Sequence, residues 1–219
     1  MARLEFLRKF ATEGRHYDGD HEIIDTIKND PTYWNVSSLI RNDPGIKEHH
    51  LTAAMDHPAW QVRDHVLGHP LATHEHIMKG IHDKDDRVLH AAINSPNAEP
   101  EHHDAAIKRI NSSEMDQYNS QYARTLVSVK PNLSSKQISD LYDPDHAISQ
   151  RYLAMQTNLP KDVHTKLINS TEASVKVAAL RHPLTTDDQI HAATHDPSEL
   201  VRLSANIILD NRSLRKNPK

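Results

Sequence analysis

Residues Trp60–Pro70 read WQVRDHVLGHP, and the order of apolar and polar positions in this stretch recurs through the chain. WNVSSLIRNDP, DRVLHAAINSP, YARTLVSVKP, SQRYLAMQTN, VKVAALRHP and VRLSANIIL fall into register with it. The anchor positions are Val36, Val62, Val88, Ala123, Ser149, Val175 and Val201, separated by five steps of 26 residues and one of 35. Repetition at a fixed period of this size marks an array of supersecondary units. The long step places an insertion of nine residues around 108–118 (KRINSSEMDQY).

Each unit reads as two short helices. Pairs such as Val36/Ile40, Val62/Val66, Val88/Ala92, Ala123/Val127, Val175/Ala179 and Val201/Ala205 stand four residues apart, the spacing that turns one helical stripe inward. Pro44, Pro70, Pro96, Pro131 and Pro183 then break the chain, because proline ends a helix and biases the preceding residue toward extended backbone. Thr73, Ser134 and Thr185 stand where they can cap a second helix, with Asp188 three residues after Thr185. Within that helix Leu51/Met55, Ile77/Ile81, Ile138/Tyr142 and Ile190/Thr194 repeat the stripe. The unit closes on turns such as Asp30-Pro31, Asp56-His57-Pro58, Asp143-Pro144 and Asp196-Pro197.

A hairpin of this length buries its apolar face only by stacking on neighbours. The pattern therefore predicts an all-α, right-handed α-solenoid of about seven units across residues 30–209, a rod on the order of 70 Å long at one helix diameter per unit. Residues 1–29 are expected to form N-terminal capping helices and residues 210–219 a basic tail. Ala53, Ala54, Ala91, Ala92, Ala178, Ala179, Ala192 and Ala193 allow close helix approach. That is how a chain only 37% hydrophobic can still fill a core.

The text D-P-x-x-x-V-R-x-x-A-L-x-x-P-L-T, nearest in Glu172–Thr185 and Asp196–Leu209, resembles HEAT-like α-solenoids and in particular the short leucine-rich-repeat-variant arrays. The resemblance implies an architecture and not a function, since such scaffolds host many roles. The iron–sulfur cluster that leucine-rich-repeat-variant proteins can carry is ligated by cysteine, and this chain has no Cys. His21-Glu22 and His74-Glu75 resemble the His-Glu pairs of HEAT-like di-iron hydroxylases, but they fall at non-equivalent positions and lack the symmetric halves of that family.

Composition narrows the chemistry. The absence of cysteine removes disulfides, thiolate zinc sites and Cys nucleophiles. No run approaches the 18 apolar residues of a membrane span, and MARLEFLRKF lacks a signal-peptide core. A cytoplasmic location is expected, with a phage accessory protein as one setting such a chain would suit. The net charge of −4, from 26 Lys+Arg against 30 Asp+Glu, is not the footprint of a general duplex-DNA binder. Neither a glycine-rich phosphate loop nor a Gly-x-Ser-x-Gly elbow is present.

Histidine is the unusual entry, at 18 residues. His50, His76 and His102 stand 26 apart and are expected to form a ridge on the surface. Neighbouring members would lie about one helix diameter apart, too far for one metal ion. Asp187, His191 and His195 have i, i+4, i+8 spacing, which gathers possible metal ligands on one face if the helix runs that far. Trp34 and Trp60 stand two residues before their anchors. Arg63, Arg124, Lys176 and Arg202 follow their anchors, with Arg87 and Arg151 one place off. The sequence is best read as a non-enzymatic, protein-binding scaffold that needs no cofactor. Its expected contact residues are Trp34, Trp60, Arg63, Arg87, Arg124, Arg151 and Lys176. A nucleic-acid binder using the arginine row and the basic tail, and a metal-dependent enzyme built on Asp187, His191 and His195, are the alternatives.

Overall fold

The computed structural model describes residues 19–216. The expected helix at MARLEFLRKF lies outside the described residues. Among the described residues the regular structure is entirely helical: α1 (Asp20–Asn29), α2 (Tyr33–Asn42), α3 (Glu48–Ala54), α4 (Trp60–Leu67), α5 (His74–Ile81), α6 (Asp86–Asn94), α7 (Pro100–Ile110), α8 (Gln117–Ser128), α9 (Ser135–Leu141), α10 (Ala147–Leu153), α11 (Lys161–Ile168), α12 (Ala173–Leu180), α13 (Asp187–Ala193) and α14 (Glu199–Lys216). No described helix is long and apolar enough to cross a membrane.

The chain divides after Arg109 into two compact units. In the first, α2, α4 and α6 pack in succession, α1 lies against α3, and α5 contacts both α4 and α6. In the second, α8, α10, α12 and α14 pack in succession, with α9 on α8, α11 on α12 and α13 on α14. The helices so paired meet partners one or two elements away in sequence, a repeat-like, solenoid-like arrangement.

The apolar stripes explain this packing. All seven anchors are at most 1% exposed, and so are the residues four later: Ile40, Val66, Ala92, Val127, Leu153, Ala179 and Ala205. Burial of each Val, Ile or Leu side chain contributes about 1.5–3 kcal/mol. One anchor is Ser149, whose hydroxyl is satisfied within its own turn by donating to the His146 carbonyl at 3.0 Å. Close approach has a visible limit at Gly80, where an added Cβ would stand 2.8 Å from a Leu67 methyl and 3.1 Å from the Ala92 Cβ.

The turns are built by one device. At eight X-Pro dipeptides the side chain before the proline accepts the backbone N–H two residues on. The acceptors are Asp30, Asp43, His57, His69, Ser95, Asp143, His182 and Asp196, at 2.7 to 3.4 Å. Proline has no N–H, so the first free donor belongs to the following residue, and a short acceptor before the proline holds it. Neutral imidazole does through Nδ1 what a carboxylate does through Oδ1.

Local expectations shift at three places. The cap of α13 is Thr186, which closes a box with Gln189, while Thr185 turns inward and donates to the Ala179 carbonyl at 2.7 Å. The extra residues at 108–118 extend α7 and α8 on either side of a short link. Helix α14 also continues through the segment expected as a tail, as far as Lys216.

Candidate functional site

The in-register cations are structural clamps. The Arg63 guanidinium grips both oxygens of Asp83 at 2.6 and 2.8 Å and donates to the carbonyls of His57 and Pro58 at 2.7 and 3.1 Å. In the second unit Arg202 donates to the carbonyls of Asp196 and Pro197, both at 2.8 Å, and Gln150 does the same to Asp143 and Pro144 at 2.7 and 2.9 Å. Arg124 is buried and donates to the Leu141 carbonyl and to Asn111 Oδ1, each at 2.9 Å. Burial pushes its guanidinium below the ordinary value, and Asp143 opposes that shift. Lys176 donates to Asp196 at 2.6 Å, and that bond is the main cause holding the Asp196 carboxyl below its usual range. Carbonyls at a tight turn are met by a long donor side chain, cationic or amide, and the cationic ones also reach a carboxylate.

Of the other expected contact residues, Trp34 is exposed and rests against Tyr33 with ring centroids 4.6 Å apart. Trp60 is half-buried beneath Arg87, whose guanidinium lies 4.0 Å from the ring centroid and pairs with Asp85 at 2.7 Å. Arg151 is exposed.

The histidine ridge requires correction. His50, His76 and His102 are 0%, 4% and 2% exposed, so they do not form a surface row. Each occupies the third position of its helix, and Nδ1 accepts the cap-residue N–H from Lys47, Thr73 and Glu99 at 3.1, 3.0 and 2.8 Å. Gln137 and Gln189 perform the same task through Oε1, each at 2.9 Å. At the matching place in α11 the cap is Pro160, which has no N–H, and the third residue is the apolar Val163. The ring thus stands in for the Glu/Gln of a capping box. An Nδ1 that accepts leaves the proton on Nε2, and His76 uses that proton toward Thr52 Oγ1 at 2.9 Å. Burial is the largest influence on all three and lowers their basicity.

The same bonding decides the metal question. Asp20–His49–His50 and His74–Glu101–His102 are the described groups whose ligand atoms lie within 4.8 Å of one another. In both, the buried histidine gives its Nδ1 lone pair to a backbone N–H, so its Nε2 carries hydrogen rather than a lone pair. Binding a metal there would turn Nδ1–H against that backbone N–H. Each cluster therefore offers one histidine and one carboxylate, both exposed, fewer than the three protein ligands of a catalytic zinc site. His74 Nδ1 already meets Glu101 at 2.9 Å.

Asp187, His191 and His195 are not gathered. Helix α13 ends at Ala193 with Thr194 as its cap, so His195 leaves the face that i, i+8 spacing requires. Asp187 accepts from Arg212 at 2.6 Å, and His195 Nδ1 lies 3.0 Å from Thr194 Oγ1.

One open groove lies in the second unit between α10, α12 and α14. It encloses about 420 Å³ and is lined by Arg151, Tyr152, Met155, Val177, Arg181 and Leu200 among others. Tyr152, Met155 and Leu200 are 40%, 72% and 52% exposed. One sequence signal for it lies one residue before the anchors, where Ser174 and Leu200 line the groove. The first unit carries Asn35, Gln61 and Arg87 there, whereas the second carries Tyr122, Ile148, Ser174 and Leu200. Comparisons with protein-family models, curated proteins and solved structures return no match.

Proposed function

We propose that this chain is a non-enzymatic protein-binding module, a right-handed α-solenoid with a 26-residue period working in the cytoplasm. Its principal contact face is the groove of the second unit. The observation that carries this reading is the grouping of Tyr152, Met155 and Leu200, large and exposed, around a concave surface rimmed by Arg151 and Arg181. Aromatic, Met and Arg side chains are the types enriched at protein interfaces. The partner segment that fits places an apolar side chain in the groove and carboxylates against the two guanidiniums. Trp34 and Arg151 are retained from the sequence-derived contact set. Arg63, Arg124 and Lys176 are engaged by Asp83, Asp143 and Asp196, which takes these three from any phosphate backbone.

The test is affinity capture from native extract by the full chain and by a Tyr152→Ala, Met155→Glu variant of equal helicity, with mass spectrometry and nucleic-acid detection on each eluate. Proteins held by the native chain and lost from the variant are the expected result. Retention of the same proteins by the variant, or recovery of nucleic acid alone, would overturn the proposal.

A further inference from the structure

The groove of the second unit is one of two hollows that repeat in register. Val129, Tyr152, Met155 and Thr157 help to line a smaller hollow of about 280 Å³. The residues 26 further on, Met155, Ala178, Arg181 and Pro183, help to line the groove of about 420 Å³. Tyr152 and Met155 border both, so the hollows lie side by side, one repeat apart. Helices packed in succession stand roughly 8–10 Å apart, and that sets the spacing of the two. The matching hollow of the first unit has His65 and Gly68 where the second has Tyr152 and Met155, so it lacks this apolar ridge.

Hydrogen-bonding groups sort the occupant. Neither lining holds Asp or Glu. The carbonyls at these helix ends are already taken: Gln156 Nε2 donates to those of Ser128 and Lys130, each at 2.9 Å, and His182 Nε2 to that of Gln156 at 3.1 Å. The groove presents donors in their place, the exposed guanidiniums of Arg151 and Arg181 and the Tyr152 hydroxyl. Neither guanidinium meets a carboxylate among the described residues. The segment that complements them is rich in free carbonyls and carboxylates and poor in N–H groups.

We infer that the two hollows bind a proline-rich segment of a partner protein as a polyproline II helix, an assignment that rests on the protein-binding reading above and names the partner's class. Apolar side chains three residues apart sit on either side of Tyr152 and Met155. A polyproline II helix has three residues per turn and rises about 3.1 Å per residue, so positions i and i+3 share an edge about 9 Å apart. An extended strand repeats its face at about 6.7 Å and misses the spacing. An α-helix comes near it only at i, i+7, and it spends its carbonyls internally. Polyproline II leaves every carbonyl free, and proline removes the N–H groups that this groove has little to accept. Arg151 and Arg181 then hold carbonyls of the segment and acidic residues at its ends.

The probe is a fluorescein-labelled peptide with two leucines three residues apart in a proline background and an aspartate at each end. Fluorescence anisotropy with the full chain is expected to show saturable binding below about 1 mM, the range of weak recognition. Setting the leucines two residues apart, or exchanging the proline background for glycine, should weaken binding at least about tenfold, the worth of one buried leucine side chain. Tyr152→Ala and Arg181→Glu should each weaken it by a similar factor, whereas His65→Ala, at the matching hollow of the first unit, should leave it unchanged. No saturable binding by about 1 mM, equal affinity for the three peptides, or binding indifferent to Tyr152→Ala would overturn the inference. Native proteins captured by the chain and lost from the Tyr152→Ala, Met155→Glu variant would in that case leave the protein-binding reading standing, so the two failures are distinguishable.

Discussion

Replacing His50, His76 and His102 together by glutamine should make the first unit less sensitive to acid while leaving its stability at neutral pH nearly unchanged. Glutamine keeps the acceptor that each cap N–H needs, as Gln137 and Gln189 do in the second unit, and it does not titrate. In the native chain burial lowers all three histidines from the ordinary value. His49 and Lys47 lower His50 further while Asp20 and Asp43 oppose the shift; Glu48 and Glu75 oppose it at His76, where Lys79 assists; at His102, His74 assists while Glu101 and Glu99 oppose. A histidine with a lowered folded-state value binds its proton more readily when unfolded. Its contribution is fully present above the unfolded value, near 6.5, and is lost as pH falls from there through the lowered folded value. Within that window one such residue changes stability by up to about 1.4 kcal/mol per pH unit, and three by up to about 4 kcal/mol.

The assay is urea unfolding followed by tryptophan fluorescence at pH 7.5 and 5.5. Both tryptophans, Trp34 and Trp60, belong to the first unit and report on it alone. At pH 7.5 the triple variant should lie within about 1 kcal/mol of the native chain, the worth of a single cap. At pH 5.5 it should be the more stable of the two. A native chain and variant that lose stability in parallel below pH 6.5 would refute the capping account.

Three further outcomes follow from the packing. Arg63→Ala leaves Asp83 buried without its partner and should destabilise the first unit by about 3–5 kcal/mol, read by the same fluorescence transition. Gly80→Ala should destabilise as well, because an overpacking cost of about 1–3 kcal/mol against Leu67 and Ala92 exceeds the gain of up to about 1 kcal/mol in helix propensity. Thermal melting in which this variant is more stable would contradict that close approach. Pro160→Ser should give α11 the capping hydroxyl that α9 uses, raising stability by up to about 1 kcal/mol. Adding Val163→Gln should lose that gain, because Val163 is 1% exposed and its burial outweighs the box.

Much of the helix arrangement was legible because anchor and i+4 residues are apolar or small and recur in register, and burial at these positions is nearly complete. The histidines were misread because sorting by polarity puts imidazole with surface residues. Their position three residues after a cap was the available signal, with glutamine at the matching places in α9 and α13. The arginine row was legible as a row but not as a set of clamps. Its partners are carbonyls five or six residues earlier and a carboxylate some 20 residues later, and no side-chain pattern announces a carbonyl. Asp187, His191 and His195 failed as a face because spacing was counted without the helix length that would carry it. The groove was hidden by attention to the anchors, since Leu200 lies one residue before an anchor and Tyr152 and Met155 lie three and six residues after Ser149.

The repeat itself admits a direct test. Excising residues 63–88 removes one period and joins Val62 to Leu89, keeping every downstream stripe in register; a second excision, shorter by two residues, turns the rest of that helix to its opposite face. If the chain is a stack of 26-residue units, the full-period excision keeps the native helicity per residue by circular dichroism and unfolds cooperatively, while the shorter one loses both. Equal loss from the two excisions would contradict the repeat.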